Sequence, residues 1–221
     1  MGEKAMTQLI GAISQKGGVG KSTFARLIAR EYAAAGWDTK IADLDIAQAT
    51  STKWKQRREQ NAIQPEIAVE PFRTVTQALK HANNYDMVVF DGLPHSSQAT
   101  LEIARVSDLL VLPTGLALDD LTPTILLAHE LIAAKIPREK IVFALCRVGD
   151  RENEIKEALE FIHRAGYTTI AGSIPEKPAY RRASDLGKAL TEVSFPTLRE
   201  RAEEVAQGII DTLKNLTKEA A

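Results

Sequence analysis

The chain has 221 residues, 44% of them apolar and 26% charged, so it can bury one substantial core and is short enough to form a single domain. Its formal charge of -1 gives no long-range pull on a polyanion, so any nucleic-acid contact has to come from a local basic patch. One cysteine, Cys146, excludes an internal disulfide and any C-x-x-C metal or redox site. Met1 to Thr7 lacks the basic and apolar regions of a secretory leader, and no run approaches the roughly 18 apolar residues of a membrane span. The expectation is a cytoplasmic protein. Met6 is a candidate natural initiator, which would leave Met1 to Ala5 outside a domain of residues 6–221.

In chain order, short apolar, β-branched runs alternate with helix-period segments, the pattern of βαβ units around a buried parallel sheet. Strands are predicted at Leu9 to Ile13, Thr39 to Ala42, Glu66 to Val69, Met87 to Phe90, Leu109 to Leu112, Ile141 to Leu145 and Thr168 to Ile170. Helices are predicted at Ser22 to Ala35, Thr74 to Ala82, Gln98 to Ala104, Leu121 to Ala134, Glu152 to Arg164 and Pro196 to Leu216. The first helix places Ala25, Ile28, Ala29 and Tyr32 on one face and stops at Gly36, as a left-handed cap requires. Gly92 to Pro94 and Ser173 to Pro178 read as loops at strand ends, where an open parallel sheet binds its ligands. No repeat, low-complexity tract or linker divides the chain.

Gln15-Lys16-Gly17-Gly18-Val19-Gly20-Lys21-Ser22-Thr23 joins the first strand to the first helix, the context a phosphate-binding loop needs. Glycines turn successive N–H groups toward one anion, and the helix N-terminus adds partial positive charge. Lys21 would neutralise the β- and γ-phosphates of ATP, and Ser22 would ligate Mg²⁺. The fold class is therefore α/β, a P-loop NTPase domain with a mostly parallel twisted sheet flanked by helices. Tyr85 to Asp91 is an apolar strand ending in a carboxylate, which suits Asp91 to hold Mg²⁺ through water. His95, shortly after it, is either near the γ-phosphate or a spectator.

The form K-G-G-x-G-K-[ST], with Lys16 ahead of the glycines, resembles the ParA/MinD family of deviant Walker-A ATPases. Ile41 to Gln48, containing Asp43-Leu44-Asp45, resembles that family's D-L-D-P-Q segment, with Ile46-Ala47 in place of the usual Pro and its neighbour. The resemblance implies that Lys16 reaches the partner subunit's nucleotide across a homodimer, that Asp45 orients the attacking water, and that Asp43 supports the Mg²⁺ shell or Lys21. Either aspartate could instead cap the following helix. It also implies that Arg147, Ile174 and Pro175 enclose the adenine, Arg147 being equally readable as a surface residue, and that Thr114 ends a strand near the nucleotide.

Lys177, Arg181, Arg182, Lys188 and Arg199 form a basic cluster similar to the nucleoid-binding region of ParA proteins, for non-specific DNA contacts. A second basic run, Lys53 to Arg58, reads as a solvated amphipathic helix. The family likeness implies an ATP hydrolase that dimerises on ATP, associates with the nucleoid and positions a cargo through a ParB-like or other adaptor that stimulates hydrolysis. Cargo candidates are plasmids, chromosome origins, carboxysomes or chemoreceptor clusters. With its first strand at Leu9, the chain reads as a short form without an operator-reading helix-turn-helix. The alternatives are a MinD-like membrane-associated ATPase and a metabolic enzyme of the dethiobiotin-synthetase type. The final helix offers no apolar wedge for lipid, so no membrane partner is expected. A metabolic enzyme would not need Lys16, one cysteine is too few for a nitrogenase-type cluster, and the tail has no tyrosine for a kinase of this lineage.

Overall fold

The computed structural model describes residues 6–94 and 97–219. Its strands are β1 (Gln8–Ala12), β2 (Thr39–Asp43), β3 (Ala68–Pro71), β4 (Met87–Asp91), β5 (Leu109–Thr114), β6 (Ile141–Val148), β7 (Thr168–Thr169) and β8 (Ile174–Pro175). The helices are α1 (Lys21–Ala34), α2 (Thr50–Gln60), α3 (Val75–Leu79), α4 (Ser97–Val106), α5 (Leu118–Ala133), α6 (Glu152–Arg164), α7 (Pro178–Asp185) and α8 (Pro196–Glu219).

The sheet runs β3-β2-β4-β1-β5-β6-β7, with β8 also on β6, and its pairings are parallel. Strands buried on both faces read as near-continuous apolar runs, and the pleat sends alternate residues to opposite sides. Ile10, Ala12, Met87 and Val89 join the core under α1, α2, α7 and α8, whereas Ile13, Val88 and Phe90 join the core under α3, α4, α5 and α6. The register sets Ala12 beside Asp91 and Asp91 beside Asp43, so the carboxyl ends of β1, β2 and β4 finish together. The connection from β1 runs to β2 and that from β4 runs to β5, in opposite directions across the sheet, and ligands bind at that switch point in open α/β folds.

The predicted order of elements is present, and Gly36 has the expected positive φ of 87°. Several expectations are corrected. β3 lies two residues later than predicted, and α5 starts at Leu118, where Asp119 and Asp120 in the first turn complement the helix dipole. Thr74 to Ala82 is a five-residue helix followed by a separate 3-10 turn at Ala82–Asn84. Ser173 to Pro178 contains β8 and leads into α7, which starts with Pro178 at a position where the missing N–H costs nothing. The Lys53 to Arg58 run is helical, but Trp54 and Arg58 are buried rather than solvated. In α8, Leu213 is buried and Ile210 and Leu216 pack against the core. Among the described residues no helix is long and apolar enough to cross a membrane.

Candidate phosphate and nucleotide site

The loop between β1 and α1 is built to hold an anion. Gly18 and Gly20 adopt φ of 77° and 119°, left-handed conformations that a side chain would oppose. At Gly20 a Cβ would also lie 2.8 Å from the Sγ of Cys146 on β6. Gly20 is the residue before α1, no side chain caps that helix, and no acidic residue occupies its first turn. The first N–H groups of α1 therefore face the loop with their partial positive charge uncompensated. Lys21 is buried, donates to the carbonyl oxygen of Lys16 at 2.9 Å, and has its pKa lowered by burial against the opposing pull of Asp91 and Asp45.

A cleft of about 210 Å³ lies over this loop. Gly17, Gly18, Gly20, Lys21, Ser22 and Thr23 line it on one side, and Asp45 and Arg147 on the other. Behind Ser22, the Asp91 carboxylate accepts from the Ser22 hydroxyl at 3.1 Å and from Ser51 at 2.6 Å, while Ser22 Oγ is 2.8 Å from Thr50 Oγ1. Burial pushes the Asp91 carboxyl up to about 6; the Ser51 hydrogen bond and the Arg26 charge pull it back, Asp43 adds to the rise, and Ser22 opposes it. Two hydroxyls and one carboxylate are hard oxygen donors beside a phosphate cradle, a set that fits Mg²⁺ shared with phosphate oxygens.

An adjoining cleft of about 280 Å³ shares Thr23, Arg26 and Arg147 with the first and is walled by Ile174, Pro175 and Tyr180. It has the apolar wall a nucleobase needs. Arg147, with φ 58° and an ion pair to Glu176 at 3.7 Å, stands at the junction of the two clefts, within reach of Gly18.

Three residues turn away from the phosphate cleft of their own chain. Gln15 points away from the phosphate cradle and donates to Glu130 on α5 at 2.9 Å. Lys16 is ion-paired with Asp120 and donates to the Asp119 carbonyl at 3.2 Å. That carbonyl is available because Pro123, four residues on, has no N–H to offer it. Asp43 is fully buried; one oxygen accepts the Thr52 N–H and hydroxyl, both at 2.9 Å, and the other accepts the Asp45 N–H at 3.2 Å. Its carboxylate is thus committed to the N-terminus of α2, the capping alternative, and does not line the phosphate cleft. Asp45 does line that cleft, half-buried, with Oδ1 accepting the Gln48 N–H at 3.1 Å. The turn that follows ends at Ala49, held at φ 48°. Thr114 is buried at the end of β5. His95 and Met1 to Ala5 lie outside the described residues.

The basic cluster is partly neutralised. Lys177 pairs with Asp150 at 2.7 Å, Arg181 with Glu176 at 2.7 Å and Arg199 with Glu203 at 3.7 Å. Arg182 is exposed, Lys188 half-buried, and neither forms an ion pair among the described residues.

The sequence reading missed Arg26, Thr50 and Ser51. The hydroxyl run Thr50-Ser51-Thr52 directly after the Asp45 segment was a usable signal. A cation within the otherwise apolar flank of α1 was a second.

Strand, glycine loop, buried lysine and open helix N-terminus define a P-loop nucleotide-binding domain. Residues 10–190 match the CobQ/CobB/MinD/ParA nucleotide binding domain, CbiA, and the chain belongs to that family. No curated protein matches it in sequence. Among solved structures it is similar to the cell division ATPase MinD of Pyrococcus furiosus, at TM-score 0.68 and 17% identity over 93% of this chain and 99% of that one. It is also similar to a plasmid partition protein of Borrelia burgdorferi bound to AMPPNP, at TM-score 0.70, 16% identity, and coverage of 93% and 99%. A third similar structure is pNOB8 ParA bound to nonspecific DNA, at TM-score 0.63, 15% identity, and coverage of 93% and 99%. At these identities the likeness carries the fold.

Proposed function

We propose that this chain is a Mg²⁺-dependent ATPase that dimerises on ATP, binds nucleoid DNA without sequence preference and positions a cargo through an adaptor that stimulates hydrolysis. The observation that carries the proposal is the division of labour between two lysines of one loop. Lys21 faces its own phosphate cleft, whereas the Lys16 ammonium is turned away from that cleft onto Asp120, at 42% side-chain exposure. A solvent-reachable cation at the rim, unused by its own site, supports a role on a second subunit's nucleotide, as the family resemblance implies.

In the chemistry proposed, the glycine N–H groups, Lys21 and the N-terminus of α1 hold the β- and γ-phosphates and oppose their charge. Ser22, with Asp91 behind it, would hold Mg²⁺, which spreads negative charge off the phosphate oxygens as the terminal bond breaks. Asp45 accepts a hydrogen bond from water and aims it at the γ-phosphorus. Lys16 of the second copy brings a further positive charge to the transferring phosphoryl group, so turnover depends on association. Arg182 and Lys188 are the cations left free for DNA phosphates, with Lys177, Arg181 and Arg199 joining only if their acidic partners yield. The proposed location is the nucleoid in the cytoplasm, and the adaptor selects the cargo, a plasmid, chromosome origin or protein-based organelle.

Size-exclusion chromatography with ATP, ADP or no nucleotide tests this reading. Wild-type protein should run as a dimer with ATP alone, Lys21→Ala should lose nucleotide binding, and Lys16→Ala should bind ATP yet stay monomeric. A wild-type monomer with saturating ATP, or a Lys16→Ala dimer, contradicts it.

A further inference from the structure

Arg26 is buried on α1, eight per cent exposed, and among the described residues has no carboxylate in ion-pair contact. An unpaired buried guanidinium is expensive, and an apolar side chain would fill the space at less cost. What it touches accounts for its presence. Its Nε donates to Ser51 Oγ at 3.2 Å, and Ser51 donates its one proton to Asp91 Oδ2 at 2.6 Å. The hydroxyl is therefore polarised in one direction, receiving from the cation and giving to the carboxylate, so the Arg26 charge is answered by Asp91 through a single intervening oxygen. On its other side Nη1 donates to Ser184 Oγ of α7 at 3.2 Å, and its guanidinium carbon lies 5.6 Å from the Trp54 ring centre.

Ser184 is gripped twice, since its carbonyl accepts from Arg57 Nε of α2 at 3.3 Å. Beyond it, Trp54 Nε1 donates to the Lys188 carbonyl at 3.1 Å and Arg58 to the Gly187 carbonyl at 3.1 Å, while both Arg58 amino groups reach Glu192. The approach is close enough that a Cβ on Gly187 would fall 2.3 Å from the Arg58 backbone nitrogen. The end of α7 is thus fastened to α2, and α2 begins at the turn that carries Asp45. Arg26 itself lines the phosphate cleft and the adjoining one.

We infer that Arg26 is a positioning residue: through Ser51 it fixes the Asp91 carboxylate behind Ser22, and through Ser184 it ties that carboxylate to α7, so that filling the phosphate cleft shifts the helix bearing Arg181 and Arg182. The inference rests on the phosphate-site reading above. Asp91 drawn forward toward Ser22 loosens or realigns Ser51, the guanidinium follows its acceptor, and Ser184 is the next atom in line.

Each link is cut separately by Ser51→Ala, Ser184→Ala and Arg26→Gln, with Arg26→Lys as the conservative variant; the serine changes are small enough to preserve folding, which thermal melting checks. The first readout is the Mg²⁺ concentration needed for binding of a fluorescent ATP analogue, set against binding in chelator. Ser51→Ala should raise the Mg²⁺ requirement on the order of 5-fold while binding in chelator is unchanged, and Arg26→Gln, whose side chain lines both clefts, should raise it by as much relative to its own binding in chelator. Arg26→Lys should recover part of it, and Ser184→Ala should leave it as wild type. The second readout is amide hydrogen exchange of residues 178–188 with Mg²⁺ and inorganic triphosphate, which fills the phosphate cleft without a base beside Tyr180 and should alter exchange in wild type but not in Ser184→Ala or Arg26→Gln. Wild-type protein that binds no ATP would overturn the phosphate-site reading itself. Wild-type binding together with an unmoved Mg²⁺ requirement in Arg26→Gln, or with triphosphate-responsive exchange in Ser184→Ala, would overturn the role of Arg26 alone.

Discussion

Asp91 shows how the site stores a demand for its ligand. Its carboxyl stands at about 6 against an ordinary 3.8 because burial disfavours the anion more than Ser51, Arg26 and Ser22 favour it. The folded state therefore holds this proton more tightly than the unfolded chain, and its stabilising contribution is complete below 3.8 and lost as pH rises to about 6. In metal-free protein Asp91→Asn should raise stability at about pH 7.5 by roughly 1–3 kcal/mol, with the gain vanishing toward pH 4. Denaturant titrations at the two pH values check it, and a less stable variant at the higher pH contradicts it. Lys16 and Asp120 make a half-exposed ion pair, worth at most about 1 kcal/mol, or a factor near five. Asp120→Asn, which frees the lysine for another subunit, should tighten ATP-dependent association within about fivefold, read by sedimentation; weaker association would mean that Asp120 itself supports the interface.

At the scale of elements, Asp43 separates two readings of one carboxylate. As the cap of α2 it can be replaced in part by asparagine, whose one amide oxygen keeps the Thr52 bonds while its NH2 cannot accept the Asp45 N–H, whereas Asp43→Ala loses all three bonds and should cost roughly 1–2 kcal/mol. Thermal denaturation and Mg²⁺-dependent nucleotide binding together decide: an asparagine variant that loses Mg²⁺ dependence as fully as the alanine variant would restore the metal role. The sequence displayed the central strands well because burial on both faces leaves apolar runs such as Met87 to Phe90 with no alternation to misread. The phosphate loop was equally legible, since its glycines and Lys21 are imposed by backbone geometry and ligand charge at fixed spacing. β8 is two residues long and owes its place to pairing with β6, while α7 buries only Tyr180 and Ala183 and starts with a proline, so neither carries a periodic signal. Arg58 and Trp54 sit in a basic run whose composition says solvent; their burial comes from Glu192 and the α7 turn, more than 100 positions away in sequence.

For the whole molecule, a net charge of -1 leaves DNA affinity to a few local cations. Random-sequence DNA retardation across salt concentrations should show that Arg182→Ala with Lys188→Ala flattens the slope of log K against log salt by about 0.9 for each DNA phosphate no longer neutralised. An unchanged slope would move the DNA face off α7. Arg182 lines neither cleft, so ATP turnover without DNA should persist in Arg182→Ala alone, whereas Lys188 also lines the adjoining cleft.

The central claim is that Lys16 works on another subunit's nucleotide, and mixing two inactive variants tests it most directly. Lys16→Ala keeps Asp45, and Asp45→Ala keeps Lys16. In their heterodimer one site combines the intact Asp45 of the first with the intact Lys16 of the second, while the opposite site lacks both. Turnover should therefore reappear on mixing, at no more than about half the wild-type rate per dimer. No recovered turnover in heterodimers shown to have formed would contradict the claim, as would wild-type turnover by Lys16→Ala alone.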